Sequence, residues 1–128
     1  MKILNRKNLS IIFEDQAQTI KETVVNAVAK KVNLFDAYLY RANLYGANLI
    51  GAYLTGAILS GANLVCANLT SANLTDAILS GANLSDANLT GANLICANLT
   101  GAYLSGANLS NADLTCANLT SAYRGTSK

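Results

Sequence analysis

The chain has 128 residues, of which 52% are hydrophobic and 12% charged, with a formal net charge of +2. That is room for one domain, too apolar for a disordered chain and without the dense basic stripe that a DNA binder carries. No window approaches 18 consecutive apolar residues, and Met1 to Lys7 lacks the apolar run of a signal peptide.

A cytoplasmic protein with no membrane partner and no nucleic-acid partner is the expectation. The charge is uneven: residues 1–32 carry a net +3, residues 33–122 a net −3, and Arg124 and Lys128 add +2. The three cysteines, Cys66, Cys96 and Cys116, match no zinc spacing, and histidine is absent. Reduced thiols and no metal or cofactor are expected.

Residues 1–31 read as an N-terminal unit of their own. Ile3-Leu4, the polar Asn5-Arg6-Lys7-Asn8 and Leu9 to Phe13 predict a short β-hairpin. Thr19-Ile20-Lys21-Glu22 is a capping box, in which the Thr19 hydroxyl accepts from the Glu22 amide and the Glu22 carboxylate reaches back to the Thr19 amide. Ile20, Val24, Ala27 and Val28 follow at helical spacing, predicting an amphipathic helix from 20 to about 30. Three turns are marginal alone, so the apolar face is expected to pack as a cap over the first turn of the repeat.

From Val32 to Ala122 the period is five. Leu recurs at every fifth position from Leu34 to Leu119, eighteen in all, and Ala stands two residues ahead of seventeen of them. A five-residue step in an α-helix rotates by roughly 140°, which scatters the leucines around the axis and excludes a helix. In a straight strand an odd repeat sends the next Ala outward, so the chain must turn a corner in every phrase. The two residues after Leu suit a corner: mostly Thr or Ser, then Gly in eight repeats.

Ala42-Asn43-Leu44-Tyr45-Gly46, Ala62-Asn63-Leu64-Val65-Cys66 and Ala87-Asn88-Leu89-Thr90-Gly91 resemble the A(N/D)LXX motif of the pentapeptide-repeat family. The resemblance implies an all-β fold: a right-handed quadrilateral parallel β-helix with four pentapeptides per coil and Leu and Ala pointing inward. Eighteen repeats make about four and a half coils over residues 32–122, with the N-terminal hairpin and helix as a cap and residues 123–128 as a tail.

At twenty residues per coil, the departures from the pattern line up. Asn fills twelve of the eighteen positions between Ala and Leu, where it is expected to serve the turns. Tyr38, Ile58 and Ile78 break that rule in one outward column, with Tyr40 on the same face. They form a candidate protein-contact patch. Phe35, Tyr40, Tyr45 and Ile50 ring the first coil and are expected to form a socket for the cap. Tyr103 and Tyr123 stack near the other end, where Arg124 stands in place of the next Leu. With Leu119 they make a candidate surface for end-to-end association as a homodimer. Cys96 and Cys116 fall on adjacent coils of one corner, as two stacked free thiols open to oxidation.

No nucleophile–base pair, paired catalytic carboxylates or phosphate loop is present, so an enzyme is not expected. The reading is a non-enzymatic structural or interaction module for a protein partner that the sequence does not name. The resemblance supplies the alternative, a DNA-mimicking modulator of a type II topoisomerase such as gyrase. Such mimicry needs rows of carboxylates, and the repeats hold only Asp36, Asp76, Asp86 and Asp113. Ice binding through Ser60, Ser80, Thr100 and Thr120 is a third idea, for which turn chemistry is an equal explanation.

Overall fold

The computed structural model describes residues 1–125. The chain opens with an antiparallel pair, β1 (Lys2–Leu4) and β2 (Ile11–Glu14), and continues into α1 (Ile20–Ala29). The returning strand starts two residues later than Leu9, because Leu9 lies in the turn at φ +59° and is exposed.

Helix α1 starts at Thr19, whose hydroxyl accepts from the Glu22 amide at 3.2 Å. The reciprocal half of the box is shifted by one residue, since the Glu22 carboxylate accepts from the Gln18 amide instead of the Thr19 amide. The helix ends in a Schellman motif: the Val32 amide donates to Ala27 O and the Lys31 amide to Val28 O, each at 2.9 Å. Lys31, at φ +56°, holds the left-handed position that glycine usually fills.

From Asn33 onward the chain returns over itself every twenty residues, as parallel bridges running from Asn33↔Tyr53 to Tyr103↔Tyr123 demonstrate. Each corner has one construction. The amide of every inner Ala donates to the Leu carbonyl three residues before it, as Ala62 does to Leu59 at 3.0 Å. The second corner residue lies in the left-handed region in all eighteen repeats, from φ +54° at Arg41 to φ +71° at Gly106. A turn hydrogen bond with positive φ only at its third residue is a type II β-turn. That is how an odd repeat keeps Leu and Ala inward.

Between coils, each Leu amide from Leu34 to Leu104 donates to the carbonyl of the outward residue one coil on, as Leu59 does to Ile78 at 2.7 Å. The core is therefore a column of leucines faced by alanines, closed to solvent from Leu34 to Leu104. It opens in the last stretch, where Leu109, Leu114 and Leu119 are only partly buried.

The N-terminal unit joins this column at its first coil. Asn5 pairs antiparallel with Ala37, the Tyr38 amide donates to Leu4 O at 2.8 Å, and Ile3, Val24 and Ala27 are fully buried against the core. Asp15 ties hairpin to helix, accepting from Thr23 Oγ1 and Asn26 Nδ2, each at 2.8 Å. The Asn26 hydrogen bond leads the causes that hold its carboxyl below the usual range.

Candidate protein-contact surfaces

The outward column of one side runs Tyr38↔Ile58↔Ile78↔Asn98, each pair joined as a parallel bridge. The first three residues thus stand on successive coils at about 4.8 Å spacing. Tyr40 joins them: its ring stacks on Tyr38 with centroids 6.2 Å apart and planes at 29°, and the Arg41 guanidinium lies 5.6 Å from the Tyr40 centroid. Tyr38 and Tyr40 each remain 48% exposed, so the N-terminal unit does not cover this strip.

The expected socket does not form. Phe35, Tyr40, Tyr45 and Ile50 stay between 47% and 52% exposed. The hairpin and helix seat themselves on the inward Leu and Ala column and on first-coil backbone, as when Lys21 Nζ donates to Tyr45 O at 3.3 Å. The physical reason is that corner side chains point away from the axis, whereas the unsatisfied apolar surface lies at its centre. Lys7 Nζ stands 5.6 Å from the Phe35 centroid, and Val25 and Val28 line an open cleft with Ile50.

One group that seats the hairpin is not evident from the sequence. Asp36 is buried at a corner, with Arg6 Nε at 3.1 Å from Oδ1 and Lys7 Nζ at 2.8 Å from Oδ2. Burial works to raise its pKa, but the Lys7 hydrogen bond and the charges of Lys7 and Arg6 outweigh it and hold the carboxyl below its ordinary value. The only signal in the sequence is Gly56, one coil on, where any Cβ would run into Asp36 Oδ1.

At the other end, Tyr103 and Tyr123 are paired as parallel neighbours with ring centroids 6.5 Å apart and planes at 61°, both half-exposed. Leu119 is partly buried in the core that opens at this end. Among the described residues, the amides of Leu114, Cys116, Leu119 and Ser121 find no backbone acceptor, whereas their counterparts one coil earlier all do.

The Asn positions are occupied with turn chemistry. Asn98 Oδ1 accepts from the Thr100 amide at 3.0 Å and from its hydroxyl at 2.6 Å, and Asn118 treats Thr120 alike. Thr100 and Thr120 therefore spend their protons inside the corner, which removes them from the hydroxyl array that ice binding requires. Asp113 plays the same part, and the Thr115 hydroxyl and amide hold its carboxyl below the usual range.

Cys66, Cys96 and Cys116 are exposed free thiols. No group of three or more acidic, cysteine or histidine side chains suited to a metal ion occurs among the described residues. No helix among them is long and apolar enough to cross a membrane.

A stack of short parallel bridges with a Leu column inside defines a right-handed β-helical solenoid. The family profile described as pentapeptide repeats matches it in eight copies, over residues 33–65, 67–106 and 92–123. The chain belongs to the pentapeptide-repeat family.

Among solved structures it is similar to the pentapeptide repeat protein Rfr23 from the cyanobacterium Cyanothece 51142. Identity is 40% over 74% of this chain and 62% of that one, with a TM-score of 0.52. It is also similar to HetL, a pentapeptide repeat protein involved in heterocyst differentiation regulation from Nostoc sp. strain PCC 7120, at 36% identity over 72% of this chain and 53% of that one, with a TM-score of 0.46. A third is a pentapeptide repeat protein from the Arabidopsis thaliana thylakoid lumen, at 37% identity over 66% of this chain and 62% of that one, with a TM-score of 0.45. The chain thus spans less than two thirds of each of these three. No curated protein matches it in sequence.

Proposed function

We propose that this chain is a non-enzymatic interaction module, a rod of about four and a half coils capped by residues 1–31, that presents Tyr38, Tyr40, Ile58 and Ile78 to a protein partner. The observation that carries the reading is the apolar column, about half-exposed at Tyr38 and Tyr40 and of intermediate burial at Ile58 and Ile78. In twelve repeats the same position holds Asn engaged in its own corner, so an Ile there contributes nothing to the turn. The odd number of cysteines fits a reducing compartment such as the bacterial cytoplasm. A second copy bound through Tyr103, Leu119 and Tyr123 is part of the proposal, supported by the half-exposed Tyr103–Tyr123 ring pair.

The test is capture of partners by the native protein and by a Tyr38→Ser/Ile58→Asn/Ile78→Asn variant with an unchanged circular dichroism spectrum. Loss of a specific partner is expected; retention of every partner sinks the patch. Sedimentation equilibrium tests the homodimer separately, and monomer alone at high concentration removes it. The topoisomerase alternative has little to stand on. Of the four carboxylates in the repeats, Asp36 is buried and paired, leaving three for any mimicry of a phosphate backbone. A gyrase supercoiling assay without inhibition or protection disposes of it.

A further inference from the structure

The corner column that starts at Asp36 continues through Gly56 and Asp76 to Cys96 and Cys116. Its last two members are thiols on successive coils. The Cys96 amide donates to Thr115 O at 2.8 Å, and the flanking pairs Asn93↔Asp113 and Asn98↔Asn118 are in parallel register. Cys96 and Cys116 are therefore direct neighbours across the ladder, with Cα atoms about 4.8 Å apart. Disulfides span Cα separations of about 4.4–6.8 Å.

Both residues hold the same left-handed corner conformation, at φ +56° and φ +60°, so their side chains leave the rod in one direction. Both are exposed. Desolvation and the neighbouring Cys116 thiol, with a smaller contribution from Asp76, push the Cys96 thiol above its usual range. Cys66 has no such neighbour, since its column places Gly46 and Asp86 on either side.

We propose that Cys96 and Cys116 are a redox couple that closes to an intramolecular disulfide across the last two coils, with a small-molecule disulfide as oxidant. The Cys116 thiol loses its proton to solvent, and the thiolate attacks the small disulfide. That S–S bond breaks, and one small thiolate leaves and takes up a proton. Cys96, losing its own proton, then attacks the Cys116 sulfur of the mixed disulfide and expels the second small thiol. Two protein thiols are oxidised and one small disulfide is reduced to two thiols.

Parallel neighbours hold their Cβ atoms roughly 1 Å farther apart than the mean of about 3.8 Å in disulfides, so the last coil must tilt toward its neighbour. It is the coil best able to do so, because the Cys116 and Leu119 amides have no backbone acceptor among the described residues. Strain of this kind makes a disulfide easier to reduce, which suits a reversible couple. Closure joins residues 96 and 116 and ties the partly open end of the core to its closed part.

The experiment treats the native chain with oxidised glutathione, blocks remaining thiols with a maleimide, and measures intact mass. Cys66 is expected to carry one glutathione or one maleimide, and Cys96 and Cys116 neither, on the monomer. Cys96→Ser and Cys116→Ser should each trap glutathione on the cysteine that remains, while Cys66→Ser should still close the pair. Exchange of the Asn118 and Tyr123 amides, which donate to Ala97 O and Ala102 O at 2.9 and 2.8 Å, should slow about tenfold or more on oxidation. Stable glutathione adducts at both cysteines of the native chain, or disulfide-linked dimers in place of the closed monomer, overturn the proposal.

Discussion

At the scale of single residues, the corner position governs what the repeat tolerates. Ten of its eighteen occupants are not glycine, yet all adopt positive φ. Each carries a cost of order 1 kcal/mol that Gly would not. Ser71→Gly is therefore expected to stabilise the fold by about 0.5–1 kcal/mol in urea unfolding. Gly56→Ala should do the opposite, by about 2 kcal/mol or more, since its Cβ adds a collision with Asp36 Oδ1 to the backbone strain. Gly81→Ala meets nothing within 4 Å and isolates the backbone part alone. Much of this was legible in the chain, because period five excludes a helix and demands a corner. The conformation at Arg41 or Asp36 was not, since neither residue type announces a left-handed turn by itself.

At the scale of elements, the join between hairpin and first coil depends on one carboxylate. The pKa of Asp36 is lowered in the folded state from an ordinary 3.8. A depressed carboxyl contributes stability that is fully present above the unfolded pKa and is lost as pH falls through the folded one. Thermal unfolding of Asp36→Asn should show a lower Tm than wild type at pH 7, and the gap should narrow below about pH 4. An equal gap at pH 7 and pH 2 would show that charge is not what Asp36 supplies. The hairpin and helix themselves could be read from the apolar run Ile11-Ile12-Phe13 and the Thr19 cap. Their seating could not, because it depends on Arg6 and Lys7 meeting an acid thirty residues later. The shift of the Glu22 carboxylate to the Gln18 amide escaped for a similar reason: both amides lie within reach, and only the local backbone chooses between them.

At the scale of the molecule, stability should be graded along the axis. Leu79 is closed off completely, whereas Leu119 sits where the column opens. Leu79→Ala is expected to cost about 2–5 kcal/mol and Leu119→Ala about 1 kcal/mol or less, both read by chemical denaturation. Equal losses would mean that the end of the rod is covered in solution, as a homodimer would cover it. The period of twenty carries a further consequence. Side chains face a given direction only when their numbers agree modulo twenty, so the rod keeps count of direction in steps of one pentapeptide. Excising a whole coil between Ile78 and Tyr103 would shorten the molecule by one layer and leave its two tyrosine-bearing ends facing as before. Excising a single pentapeptide would turn everything beyond it through a quarter rotation, with the core intact and the far face aimed elsewhere. Length and compass bearing are thus written in one repeat, and a change of five residues alters direction far more than size.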